Sequence, residues 1–182
     1  MNLVFGLIGG IGSGKTTAAK YLSQEHRFVE IYTAAKLKQV VMEMYGLPQE
    51  AVYGTQEEKS APRPELGMVS ARMVLEHFAE EFRRYNPDVF LNQATRGMST
   101  PRIVISNIRY QNEHLWVKKR GGFVIRMNVL REKPVSTGHE SDKQWREMSY
   151  DYGVNILRGD IDAMNERLDE IVTLALGVRR GA

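Results

Sequence analysis

Eight consecutive residues, Gly9-Gly10-Ile11-Gly12-Ser13-Gly14-Lys15-Thr16, satisfy the pattern G-x-x-x-x-G-K-[ST] in full, and their chemistry is that of a phosphate cradle. Glycine at four of the first six positions lets the backbone take a tight, partly positive-φ path that aims successive N–H groups at one point. A helix starting directly behind the loop adds the positive end of its dipole. Lys15 is placed to reach the β- and γ-phosphates of a nucleoside triphosphate, and the Thr16 hydroxyl to ligand Mg²⁺. Thr17 continues the helix and completes the stretch that would hold ATP. A dinucleotide such as NAD is not expected, because no G-x-G-x-x-G can be threaded through residues 6–17.

The elements that must position this loop are legible on either side of it. Leu3-Val4-Phe5-Gly6-Leu7-Ile8 is a short apolar run suited to a buried strand, and Thr17 to Leu22 are good helix formers. The apolar start has no positive segment ahead of it and runs into the cradle, so it reads as a strand and not as a secretion signal. With 182 residues the chain fits one domain, residues 1–182, with a core that needs no staples. It has no Cys, which excludes disulfides, thiolate nucleophiles and Cys-based zinc sites, and makes a reducing cytoplasm the natural compartment. No stretch approaches the length of a membrane span. The formal charge of +3 is spread along the chain, which favours small anions over a nucleic-acid footprint.

Further along, Phe28 to Tyr32 reads as a strand, and Ala34 to Tyr45 as a helix with Leu37, Val40, Val41 and Met44 on one face and Gly46 as its stop. This β-α-β-α order opens a doubly wound sheet. Residues 48–67 read as a mobile connection rich in charge and turn residues. A long helical pattern follows from Met68 to Arg84, and Pro87 starts another segment. Pro101 to Ser106 is the next buried strand, and Asn107-Ile108-Arg109-Tyr110 at its end would face a ligand crevice. Asn112 to Arg120 is helical, Phe123 to Val129 a strand, and Arg131 to Asp142 a polar, lid-like loop; with its flanking residue this gives a lid over 130–142. Trp145 to Tyr150 reads as a helix, Gly153 to Leu157 as a last strand, and Ile161 to Leu176 as a closing amphipathic helix.

Together with the cradle, several segments resemble the deoxynucleoside monophosphate kinases of bacteriophages: Leu37-Lys38, Met44-Tyr45-Gly46-Leu47, Glu57-Glu58-Lys59, Ser70-Ala71-Arg72-Met73-Val74-Leu75 and His139-Glu140-Ser141-Asp142. The most specific stretch is I-S-N-I-R-Y-Q-N-E, Ile105 to Glu113, followed eight residues on by Gly121-Gly122. The resemblance implies an α/β fold of the P-loop kinase type, three-layered, with a five-stranded parallel sheet, helices on both faces and a small lid. It also implies transfer of the ATP γ-phosphoryl group to a deoxynucleoside 5′-monophosphate, with 48–100 as the acceptor-binding region and a homodimer as the expected assembly.

Phosphoryl transfer asks for phosphates placed in line and charge neutralised, so cations are the residues to seek. Arg72 is the first candidate to grip the acceptor phosphate through its planar fork, with Lys38 and Arg63 behind it. Arg109, at the strand end, is a candidate for both substrate and transition-state contact; Glu113 is a candidate for substrate contact too, or for a purely structural ion pair with Arg109. Lys15, Arg109 and Arg131 form the expected catalytic set; Arg126 and His139 also bracket the lid. Tyr32, Tyr110, Phe78 and Trp145 are aromatic side chains able to stack on a base.

Two departures from the family pattern stand out. Asn107 replaces an acid that the family carries at the strand end, so that Thr16 and Asn107 are the expected metal-side residues, and Ala35 replaces an acid after the second strand. A second enzyme reading is dephospho-CoA kinase, which shares the G-L-x-G-G-I-G-S-G-K-T opening but not the segment after the second strand. A third is a nucleotide-binding module without turnover, motivated by Asn107 and Ala35.

Overall fold

The computed structural model describes residues 3–131 and 140–180. Its centre is a five-stranded, wholly parallel sheet built from β1 (Leu3–Ile8), β2 (Val29–Ile31), β5 (Arg102–Ile105), β6 (Phe123–Val129) and β7 (Tyr152–Ile156), in the order β2-β5-β1-β6-β7. β1 is therefore paired on both sides, with Leu3 opposite Arg102 and Phe5 opposite Phe123, and all six of its residues are buried. That explains its unbroken apolar run, since a central parallel strand covered on both faces has no polar side.

Successive side chains of β1 point to opposite faces. Leu3, Phe5 and Leu7 join a core with Ala18, Ala19 and Leu22 of α1 (Lys15–His26) and with Met164, Leu168, Ile171 and Ala175 of α9 (Ile161–Arg180). On the opposite face Gly6 leaves room for Ile108 and for Val117 of α7 (Gln111–Lys119). The sheet is thus covered on both faces, as the β-α alternation predicts.

The chain divides into two compact units, one of Met1–Tyr32 with Gly97–Ala182 and one of Thr33–Arg96. The second is a continuous segment with its own core. Leu37 and Val41 of α2 (Ala35–Tyr45) pack there with Ala51 and Val52 of α3 (Gln49–Tyr53), Ala71 of α5 (Ala71–Tyr85) and Phe90 of α6 (Val89–Ala94).

Three sequence expectations are corrected. Residues 48–67 are not a bare connection. They hold α3, then α4 (Gln56–Ser60), then the first strand of a two-stranded antiparallel ribbon, β3 (Pro62–Arg63) with β4 (Val69–Ser70). Thr55 and Glu58 form a reciprocal cap on α4, with the Thr55 N–H donating to Glu58 Oε2 at 2.6 Å, which organises a stretch whose composition reads as loop. The ribbon also moves the start of the following helix to Ala71, where Ser70 Oγ accepts the Met73 N–H at 3.3 Å. Near the other end, the helix placed at 145–150 is α8 (Glu140–Glu147), which begins inside the expected lid and stops before Met148. No described helix is long and apolar enough to cross a membrane.

Candidate phosphate-transfer site

The central strand delivers the cradle. After Ile8 the chain turns through Gly9 at φ 151°, Gly12 at φ 75° and Gly14 at φ 86°, backbone regions that side chains rarely tolerate. At Gly9 a Cβ would also stand 2.5 Å from the Met127 carbonyl oxygen, so the residue is glycine for two reasons at once. Ser13 is buried, and its N–H donates to the Gly10 carbonyl at 3.3 Å, closing the turn. The ladder of α1 opens at the Ala18 N–H, which donates to the Gly14 carbonyl at 2.8 Å. The amides of Lys15, Thr16 and Thr17 form the first turn, where helix N–H groups are characteristically left for a ligand.

Lys15 folds back over this loop. Its ammonium donates to the carbonyls of Gly9 at 2.9 Å and Gly10 at 2.7 Å, with the Ser13 hydroxyl at 3.4 Å. The positive charge is thereby fixed inside the ring of glycines. Thr16 and Thr17 are exposed on the first turn of α1. A cradle walled by backbone and centred on an ammonium fits a polyphosphate.

For Mg²⁺, no group of three or more His, Asp or Glu able to hold a metal occurs among the described residues. Among the described residues, the Thr16 hydroxyl is exposed on the first turn of α1, and the half-buried Asn107 amide follows β5, the strand next to β1. That fits a metal held largely by phosphate oxygens and water, as Mg²⁺ usually is.

Asn107 is half-buried between Ser106, whose N–H donates to the Ile31 carbonyl at 3.4 Å, and Ile108, whose N–H donates to the Leu7 carbonyl at 3.0 Å. These bonds continue the parallel pairing past β5 and hold the strand end in register with β1. Arg109 Nε donates to Asn107 Oδ1 at 3.3 Å. Glu113, only 3% exposed, accepts the backbone N–H groups of Arg109 at 2.8 Å and Tyr110 at 3.2 Å through Oε2. Its carboxylate caps α7 and fixes the turn that presents Arg109. Both of these bonds go to the main chain at the strand end.

Arg126 has a plain structural task. One terminal nitrogen donates to the carbonyls of Arg146 at 2.9 Å and Met148 at 3.1 Å, and the guanidinium lies 4.4 Å over the Tyr150 ring. It clasps the end of α8 and the residues that follow, satisfying carbonyls that a helix terminus leaves open. Arg131 is exposed with φ 62°, at the exit from β6. His139 and most of the lid-like loop lie outside the described residues. Trp145 is buried, which removes its ring from the set able to stack on a base.

In the second unit, Arg72 is held by two bonds: Nε to Glu76 Oε1 at 3.0 Å and Nη1 to Gln56 Oε1 at 3.2 Å. Gln56, which the sequence did not single out, thus links α4 to α5 through this guanidinium. Lys38 donates to the Val52 carbonyl at 3.1 Å and lies 4.4 Å over the Tyr53 ring. The Arg63 Nε is buried and meets no hydrogen-bond partner among the described residues. Phe78 packs against this unit's core.

Comparison with known proteins agrees with this geometry. No family model matches the chain. A protein of Acanthamoeba polyphaga mimivirus, whose name of deoxynucleotide monophosphate kinase is itself an inference, is 34% identical over 142 residues, spanning 69% of this chain and 74% of the relative. Among solved structures, shikimate kinase from Acinetobacter baumannii, in complex with shikimate, superposes with a TM-score of 0.53 at 17% identity, over 97% of this chain and 94% of that one. Shikimate kinase from Aquifex aeolicus gives a TM-score of 0.50 at 16% identity, over 98% of both chains. At such identities these two support the P-loop kinase fold alone.

Proposed function

The chain belongs to the deoxynucleotide monophosphate kinase family, and we propose that it transfers the γ-phosphoryl group of ATP to a deoxynucleoside 5′-monophosphate, giving the diphosphate and ADP. The observation that carries this reading is the Lys15 ammonium held on the Gly9 and Gly10 carbonyls, inside a glycine loop at the head of α1. The fold and the mimivirus relative support a nucleotide kinase; the deoxy acceptor is the finer step of the proposal.

In this reading an acceptor phosphate oxygen attacks the γ-phosphorus as the bond to the β–γ bridging oxygen breaks, and the electron pair leaves with ADP. Gly9 to Thr17 bind the donor, and the Lys15 charge offsets what builds on the β- and γ-oxygens. Thr16 and Asn107 are the residues that would hold Mg²⁺ and its water; when bound, the ion supplies charge neutralisation between the β- and γ-phosphates. Arg109 and Arg131 are the further cations offered to the moving group, and Arg72, with Lys38 and Arg63, to the acceptor. Glu113 acts through the backbone of Arg109 by fixing its turn. The protein works as a soluble enzyme without nucleic acid or membrane.

The test is ADP release from Mg-ATP with dGMP, dTMP, dCMP, dAMP, the ribonucleotides and dephospho-CoA offered singly and each product identified. Turnover with a deoxynucleotide, lost in Lys15→Ala, supports the proposal. Turnover with dephospho-CoA alone, or ATP binding with silence across the panel, overturns it.

A further inference from the structure

A second cation reaches the cradle from the far edge of the sheet. β7 ends at Ile156, and Leu157-Arg158-Gly159-Asp160 make a tight turn in which the Asp160 N–H donates to the Leu157 carbonyl at 3.1 Å and the Ile161 N–H to the Gly159 carbonyl at 2.9 Å. Gly159, at φ 85°, allows the reversal, and Asp160 Oδ1 accepts the Ala163 N–H at 3.2 Å to open α9. This turn and the first turn of α9 lie alongside the phosphate loop. A Cβ at Gly14 would stand 3.7 Å from Met164 Sδ, and a Cβ at Gly12 would meet the two terminal nitrogens of Arg158 at 3.6 and 3.7 Å.

Both arms of the Arg158 fork therefore sit over the middle of the cradle, on an exposed side chain. The surroundings make this an uncongenial place for a cation. The Lys15 ammonium occupies the same loop, α1 starts there, and α9 starts three residues after Arg158, so two helix ends of positive sign are close by. An anion on the loop would be drawn to this concentration of positive charge, and a planar guanidinium is the side chain best shaped to share two phosphate oxygens.

We propose that Arg158 is a donor-side phosphate residue: its guanidinium closes on oxygens of the polyphosphate held in the cradle, so that the donor is gripped from Lys15 and from the β7–α9 turn together. Sequence reading passes over it, because one arginine in a turn carries no spacing signal. The cue it does leave is a cation two positions ahead of the cap of the last helix, where acids are the favoured charge.

The proposal rests on the cradle holding a nucleoside triphosphate, and its test separates the two claims. Binding of Mg-ATP and of inorganic tripolyphosphate, which has no base or sugar, is measured by calorimetry for the native chain, Arg158→Ala and Arg158→Lys. The expected result is a loss of about tenfold in Arg158→Ala, equal for the two ligands and partly restored by lysine. In turnover, the KM for ATP rises while the KM for the acceptor stays within about twofold, the scatter expected of a residue with no acceptor contact. Unchanged binding of both ligands, a loss confined to ATP, or failure of the native chain to bind tripolyphosphate overturns the proposal. If the native chain binds tripolyphosphate in an Arg158-dependent way and transfers no phosphoryl group, the kinase reading falls and the phosphate contact stands.

Discussion

The side chains of Asn107 and Arg109 are joined, with Arg109 Nε donating to Asn107 Oδ1 at 3.3 Å across the turn that ends β5. An amide oxygen is enough to orient the guanidinium but adds no negative charge beside the phosphates. Placing a carboxylate there, in Asn107→Asp, should strengthen both the pairing and the hold on a metal-bound water. The expected outcome is half-maximal turnover at severalfold lower Mg²⁺, read from a magnesium titration at saturating substrates. An unchanged requirement would remove Asn107 from the metal's surroundings.

Arg72 is fixed by Glu76 and Gln56 before any substrate arrives. Pre-orientation of this kind lowers the ordering cost of gripping a phosphate. Arg72→Ala should raise the KM for the monophosphate about 10-fold or more while the KM for ATP stays near native, and Gln56→Ala should reproduce a smaller part of the effect. Steady-state kinetics with each substrate varied in turn decides it, and an unaltered acceptor KM would leave Arg72 a packing residue.

Glu113 is buried and takes two backbone N–H groups at the head of α7. Its removal leaves those donors without the carboxylate that caps them. Glu113→Ala should lower unfolding free energy by about 1–2 kcal/mol in urea titrations, the scale of a lost helix cap. Because the same cap sets the Arg109 turn, turnover should fall further than the folded fraction does. Activity that tracks the folded fraction would confine Glu113 to stability.

Asp169, on α9, accepts from the Tyr21 hydroxyl at 2.8 Å and lies 2.7 Å from His26 Nε2, both on α1. Partial burial pulls its carboxyl upward, but the bonds from His26 and Tyr21 outweigh this and hold it below the usual carboxylate range. Such a group adds stability above its unfolded pKa, about 4, and loses that contribution as pH falls through the lower folded value. Burial and the bond to Asp169 push the Tyr21 hydroxyl up to about 12, so its share persists through neutral pH and fades only as pH rises through that value. The stability gap between the native chain and Asp169→Asn should therefore be open at pH 7 and close towards pH 3. Urea unfolding at the two values checks this; a gap of constant size would mean that the contact is not charge-dependent.

Much of the sheet was legible because buried parallel strands write themselves as apolar runs: β1, β5 and β6 stand where Leu3 to Ile8, Pro101 to Ser106 and Phe123 to Val129 suggest. The cradle was legible because phosphate geometry demands glycine at fixed spacing. What was not legible depends on contacts between residues far apart in sequence. The ribbon of Pro62–Arg63 with Val69–Ser70 has too few residues for any periodicity, and Gln56 acquires its task only once α5 brings Arg72 beside it. Arg126 and Arg131 look alike in sequence, yet the first is committed to carbonyls near the end of α8 while the second stands exposed. The Arg158 fork over Gly12 is likewise a product of strand order, which brings the turn after the edge strand β7 back beside the loop at the head of α1.

The strand order also sets a schedule for assembly. β1 leaves the ribosome before either of its partners, which begin at Arg102 and Phe123, so the strand that carries the cradle is an orphan until about a hundred further residues have been made. Thr33–Arg96, by contrast, is a single stretch with a core of its own and can collapse early. Pairings of such long range are slow to close. Until β5 and β6 arrive, Leu3 to Ile8 is an apolar segment with unpaired edges, and that interval is when this chain is most exposed to sticking to its neighbours.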